Sequence, residues 1–247
     1  MRNVIISLAC ALSLVACTQH QPKSVVSFST DFYAIDSTTD SLRDMDYVRD
    51  MAETKAYMDS EMNILLGYAA EDLWLDTCEC PMLNWTADVL LKRAKEVCPF
   101  KVDIAIQNGG GARAPWNAGK ITLGDVFTMM PFDNRLVVLQ LKGAEIIDLF
   151  TTLAPSEQAQ GIAGARVAVN KKQLVKLEVG GKPVNPEAMY TVATSNYLAK
   201  GKDNMTALTR RDSLWDSGLL IRDIYVEAVR NADTIHAAVD GRWTIKK

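Results

Sequence analysis

The chain has 247 residues, 48% hydrophobic and 23% charged, with 14 glycines and 8 prolines. That is enough for one large domain or two small ones, and nothing in it argues for disorder. Lys and Arg number 27 against 30 Asp and Glu, a net charge of −3, which excludes the strongly basic surface of a general nucleic-acid binder. The two histidines, His20 and His236, exclude a centre built from a cluster of His ligands.

Met1, Arg2 and Asn3 make a short basic start, and Val4 to Val15 is an apolar run of 12 residues, shorter than the ~20 a membrane-spanning helix needs. A secretory signal over residues 1–16 is expected. Leu14-Val15-Ala16-Cys17 resembles the lipobox of bacterial lipoproteins, in which the cysteine becomes the acylated N-terminus. This resemblance implies lipidation at Cys17, with a polar tether over 17–27; no other apolar run approaches membrane length, so attachment by lipid alone is expected, with a single domain over 28–247. Thr18, where Asp would imply the inner membrane, implies an outer-membrane lipoprotein facing the periplasm.

From Asp31 to Cys80 there are 13 acidic and 3 basic residues, whereas Pro81 to Lys247 has 22 basic and 17 acidic. An anionic ligand is expected on the second part. Val25 to Ile35 has the bias of a strand, followed by a polar turn over Asp36 to Asp40. Leu42, Met45, Val48, Met51, Ala52, Met58, Met62 and Leu65 recur every three or four residues, which predicts an amphipathic helix whose methionine seam fills core. Cys78, Cys80 and Cys98 follow. In an oxidising compartment a disulfide from Cys98 to one of the other two is expected, with one thiol unpaired; zinc is disfavoured because a fourth ligand is missing.

A second helix is expected over Asn84 to Val97, stopped by Pro99, then a buried strand over Val102 to Ile106. Leu136 to Leu141 reads as a strand closed by Gly143, followed by a helix over Ala144 to Leu153. Short strands are expected at Val167 to Val169, Val175 to Val179 and Tyr190 to Thr194, and a late helix at Leu219 to Val229. Strands mixed with helices and no internal repeat predict one α/β (α+β) domain.

Three loops carry chemistry. Asn108-Gly109-Gly110-Gly111-Ala112-Arg113 follows a strand; its glycines let backbone N–H groups approach a ligand, and Arg113 can grip phosphate or carboxylate. The same run serves equally as a tight turn, and it is not a P-loop, since Gly119-Lys120 continues with Ile121. Pro131-Phe132-Asp133-Asn134-Arg135 offers a flat ring for stacking and an amide that donates and accepts. A core phenylalanine beside a turn asparagine is the commoner use of such a pair. Ser195 to Asn204 adds Tyr197 as a second ring and Asp203 as an acceptor for sugar hydroxyls.

Together, Asn108 to Arg113, Gly119-Lys120-Ile121-Thr122 with Pro131 to Asn134, and Asn196 to Asp203 resemble the C-terminal domain of the 5'-nucleotidases. Gly241-Arg242-Trp243-Thr244-Ile245 is similar to that family's end, and the resemblance runs from about Glu53 to Ile245. It implies a layered α/β fold that holds a nucleoside, with Phe132 and Tyr197 clamping the base, Asp203 on the ribose, and Asn108, Arg113 and Asn134 as polar contacts. Two departures stand out. Lys202, Asn204 and Met205 replace the usual Gly, Gly and aromatic of the third motif, so the loop is expected to differ. Asp76-Thr77-Cys78-Glu79-Cys80 stands where many members have arginines, so phosphate is expected to be held more weakly.

The family's chemistry belongs to an N-terminal metallophosphoesterase domain with paired metal ions. This sequence has no Asp-x-His, no Gly-Asn-His and no Gly-x-Ser-x-Gly elbow. No catalytic or metal-binding residue is therefore assigned, no cofactor is expected on this chain, and the chain alone is expected to be inactive. The expected role is the nucleotide- or nucleoside-binding part of a split 5'-nucleotidase in nucleotide catabolism. Divalent metals would reside on a separate metallophosphoesterase chain, and no nucleic acid is involved. The alternative is a binding-only or degenerate scaffold lipoprotein.

Overall fold

The computed structural model describes residues 27–34, 36–37 and 44–246. Signal segment, Cys17 and nearly all of the tether lie outside them, as does most of the turn expected over Asp36 to Asp40. The chain divides into one unit ending at Arg49 and one beginning at Asp50. In the first, residues 27–34 carry no strand, contrary to the strand expected over Val25 to Ile35. Phe28, Phe32 and Tyr33 are exposed, and among the described residues no neighbouring strand pairs with them; β propensity without a ladder partner does not make a strand.

Helix α1 (Met45–Met62) forms as the periodicity predicts, but none of its residues is buried. Met45, Met51 and Met58 are exposed, so the methionine seam is not core. Periodicity reports which face can be covered, not that anything covers it. The helix stops at Met62, and Leu65, which continues the helical spacing, instead opens strand β1 (Leu65–Ala69).

The second unit is built on three sheets. The central one has five strands in the order β10 (Ser213–Leu220), β4 (Arg135–Lys142), β9 (Met189–Ser195), β2 (Ile104–Gln107), β5 (Gly161–Ala163). Its inner strands alternate between two cores. Ala105, Leu136, Val138 and Ala193 face one; Ile104, Ile106, Val137, Leu139, Leu141 and Val192 face the other. Burial on both faces is why these strands read as continuous apolar runs rather than alternating ones.

The first core is covered by α2 (Pro81–Val97), α3 (Leu123–Met129) and α5 (Ile221–Ala232), with a three-stranded sheet in the order β11 (Thr234–Ile235), β1, β3 (Gly119–Thr122). The second is covered by α4 (Gly143–Leu153) and a four-stranded sheet in the order β12 (Trp243–Lys246), β6 (Ala165–Asn170), β7 (Gln173–Val179), β8 (Lys182–Pro183).

Local chemistry explains the element ends. Pro81 sits in the first turn of α2, where a missing N–H costs nothing, and Pro99 disfavours helical backbone at Cys98. Thr122 and Asp125 form a reciprocal capping box on α3. Gly143 opens α4 where a Cβ would lie 1.9 Å from the Asn185 carbonyl oxygen, so only glycine fits. Arg242, at the chain's end, donates to Asp88, Asp240 and the Ile162 carbonyl, pinning β12 beside β6.

Cys78, Cys80 and Cys98 are all free thiols, so the expected disulfide does not form. Cys80 and Cys98 cap opposite ends of the 17-residue α2. At 1.5 Å rise per residue that places them about 25 Å apart, whereas a disulfide needs Cα atoms within ~7 Å. Cys78, two residues before Cys80, is no better placed. Among the described residues, no helix is long and apolar enough to cross a membrane.

Candidate functional site

The central sheet brings the three loops to one edge. β2 and β9 are parallel neighbours, so the loops that follow them leave the same edge; β4 runs antiparallel to β9, so the loop before it arrives there. The register pairs Leu136 with Ser195, which sets Arg135 beside Asn196. The Asn196 N–H donates to the Arg135 carbonyl at 2.9 Å, and the Arg135 N–H donates to Asn196 Oδ1 at 3.0 Å. Asn196 thus ties the second loop to the third.

All six residues singled out in the sequence line one cavity of about 320 Å³: Asn108, Arg113, Phe132, Asn134, Tyr197 and Asp203, with Gly110 and Gly111. Asp203 is its hub. One carboxylate oxygen accepts from Asn108 Nδ2 at 2.5 Å and the other from the Tyr197 hydroxyl at 3.0 Å. The hydrogen bond to Asp203 raises the Tyr197 pKa, keeping the phenol a donor through neutral pH. Asn108 can fold over Gly111 because a Cβ there would lie 2.7 Å from Asn108 Oδ1. The motif's third glycine therefore makes room for its own asparagine, not only for a ligand.

Phe132 and Tyr197 are 36% and 40% exposed, and neither packs on another aromatic ring among the described residues. The Arg113 guanidinium lies 5.3 Å from the centre of the Phe132 ring. No carboxylate among the described residues pairs with it. The cavity therefore offers apolar ring faces, an unpaired cation, a free Asn134 amide and an acceptor-rich carboxylate, which suits a planar heteroaromatic bearing a polar, hydroxylated and anionic end.

The substitutions in the third motif are absorbed by the backbone. Asp203 (φ 55°) and Asn204 (φ 62°) take left-handed conformations, whereas Lys202 does not. The glycine-to-lysine change therefore falls where no glycine freedom is needed, and asparagine tolerates the position that follows Asp203. Met205 is fully buried and fills core in place of an aromatic.

Supporting residues were not evident from sequence. Gln107, buried just before Asn108, donates to the Tyr225 hydroxyl at 3.1 Å, and that hydroxyl donates to the Thr86 carbonyl at 3.3 Å. Gln160 accepts from the Gly109 N–H at 2.8 Å. Such contacts, 118 and 51 residues apart in the chain, leave no local pattern. The Gly119 to Thr122 motif lies in β3 and the α3 cap rather than in the cavity. It acts indirectly, since the Met129 carbonyl at the end of α3 accepts from the Arg113 N–H at 2.8 Å. Among the described residues, no group of three or more His, Cys, Asp and Glu is placed to hold a metal ion.

The chain is similar to the Bacillus subtilis trifunctional nucleotide phosphoesterase protein YfkN, with 31% identity over 217 residues covering 78% of this chain and 15% of that protein. A probable 5'-nucleotidase of Treponema pallidum is 34% identical over 143 residues, 51% of this chain and 24% of the relative. The chain thus spans under a quarter of the length of either. Among solved structures, a 5'-nucleotidase precursor from Thermus thermophilus superposes with a TM-score of 0.74 at 25% identity, covering 83% of this chain and 44% of that one. Haemophilus influenzae NAD nucleotidase shares the fold, with a TM-score of 0.66 at 20% identity over 85% of this chain and 41% of that one. With three sheets, a cavity lined by all three sequence motifs, and a match of residues 66–210 to the model of the 5'-nucleotidase C-terminal domain, the chain belongs to that family.

Proposed function

We propose that the chain binds the base and ribose of a nucleotide or nucleoside, and that a separately encoded metallophosphoesterase hydrolyses the phosphate ester. The convergence of six side chains from three loops on one cavity carries this reading. Phe132 and Tyr197 hold the base, Asp203 accepts from ribose hydroxyls, Asn134 meets a base edge, and Arg113 faces the phosphate with Asn108 beside it. Two histidines in 247 residues are too few for a His-rich pair of metal sites, so the metals and the activated water are assigned to the partner. Its test is reconstitution. The purified chain with Mn²⁺, Co²⁺ or Zn²⁺ is expected to release no phosphate from AMP; a secreted metallophosphoesterase from the same source is expected to do so faster when the chain is added. Metal-dependent release that stays with this chain through repurification would overturn the split. Nucleoside binding without any stimulation would favour a binding-only lipoprotein.

The site of action follows from Cys17. Acylated there, the protein would work from the outer membrane into the periplasm, where nucleotides are dephosphorylated for salvage. Cys17→Ala is expected to leave an unprocessed precursor that takes up no lipid label. A labelled product with the wild-type mature N-terminus would reject the anchor.

A further inference from the structure

A second cavity, about 430 Å³ in volume, adjoins the first across a shared wall of Asn108, Gly110 and Asp203. Its far side comes from the end of α4, the segment after it, and the loop before α2. Its chemistry differs from that of the first. There is no aromatic ring, and among the described residues no Lys, Arg or His lines it; Arg113 lies in the other cavity.

The two carboxylates at its edge already have donors. Asp203 takes Asn108 and Tyr197. Asp76 takes the N–H and hydroxyl of Thr77 at 2.5 and 3.1 Å, and those bonds hold its carboxyl below the usual carboxylate range. Both carboxylates are thus locally partnered, an arrangement that disfavours an anion without demanding a cation. The groups left free are neutral: the side chains of Thr152, Gln158 and Asn204 make no hydrogen bond to the protein among the described residues. Free hydroxyl and amide groups beside carboxylates that already have donors suit a polyhydroxylated ligand.

We propose that this cavity is a subsite for a neutral, hydroxyl-rich group, a sugar carried on the 2′ or 3′ oxygen of the bound nucleoside's ribose, and that it rejects a phosphate at the same position. The proposal rests on the nucleoside reading above, which sets the ribose hydroxyls at Asp203, the wall between the cavities. A substituent on those oxygens passes over the wall toward Gln158 and Thr152, whereas a 5′-phosphate stays on the Arg113 side.

Calorimetric titration of the full chain with adenosine, 2′-O-ribosyladenosine and adenosine 3′-monophosphate tests it. The ribosyl compound is expected to bind about five-fold tighter than adenosine, the yield of one net neutral hydrogen bond. The 3′-phosphate is expected to bind weaker than adenosine at low ionic strength, with the difference shrinking as salt screens Asp76 and Asp203. Combining Thr152→Ala with Gln158→Ala is expected to abolish the ribosyl gain while adenosine affinity stays unchanged. A ribosyl compound that binds no tighter than adenosine, or a 3′-phosphate that binds tighter, would overturn the subsite and leave the nucleoside reading intact. Failure of adenosine itself to bind would reject that reading and the subsite with it.

Discussion

Replacing Phe132 or Tyr197 by alanine is expected to weaken nucleoside binding by about 1 to 3 kcal/mol per ring, roughly 5- to 150-fold, on the scale of base stacking against aromatic side chains. Folding stability is expected to change far less. The reason lies in the exposure of the rings, 36% and 40%: a core aromatic cut to alanine costs about 3 to 5 kcal/mol of stability, but these rings cover a cavity and little else. Arg113 over Phe132 adds a second consequence. An incoming base must share that ring with the guanidinium or displace it, so Arg113→Ala is expected to cost the free nucleoside less than the nucleoside monophosphate. Titrations with adenosine, uridine and their 5′-monophosphates, beside thermal melts of each variant, measure both. Variants that melt much lower yet bind normally, or a wild type that binds no nucleoside, would show the rings to be structural.

The contrast between these rings and the methionine seam of α1 shows what was legible in the sequence. Both were patterns of apolar residues, and for both the commoner use was core. In the loops, three motifs each had a fixed spacing and a strand boundary beside it, so the topology of β2, β4 and β9 had only to place three strand ends on one edge. In α1, spacing alone predicted a helix correctly, yet it carried no information about a covering partner, and none of its residues is buried.

Short elements were the least legible. β3, α3, β5 and β12 are four, seven, three and four residues long. They owe their form to long-range pairing more than to local propensity. The disulfide expectation failed for a related reason: redox compartment constrains which cysteines pair only after the helix between them is known to be continuous. The hub at Asp203 was half visible. A carboxylate for sugar hydroxyls was expected there, but its bond to Asn108, 95 residues away, was not.

That hub makes the second large effect testable. Asp203→Asn is expected to weaken nucleoside binding by about 1.5 to 3 kcal/mol, the value of hydrogen bonds to a charged group, or roughly 10- to 150-fold. Asparagine is the clean replacement because Asp203 holds a left-handed backbone (φ 55°) that asparagine tolerates, whereas alanine would add strain. The amide offers one accepting oxygen where the carboxylate offers two, so Asn108 Nδ2 and the Tyr197 hydroxyl can no longer both donate to separate oxygens, and the ribose loses an anionic acceptor. Tyr197→Phe keeps the ring and removes only its bond to Asp203, so its expected cost is smaller than that of Asp203→Asn. In the double variant the two losses are expected to fall short of additivity, since the second change removes a bond the first has already weakened. The pH dependence follows with a definite sign. A raised tyrosine pKa means the phenol's contribution is full below its ordinary value near 10 and is lost only as pH rises through the higher one. The bond's contribution to folding stability should therefore hold flat through neutral pH and fall at alkaline pH, and that alkaline fall in melting temperature should vanish in Tyr197→Phe. An Asp203→Asn variant that binds adenosine as tightly as wild type would remove Asp203 from the binding site and leave it as a tie between two loops.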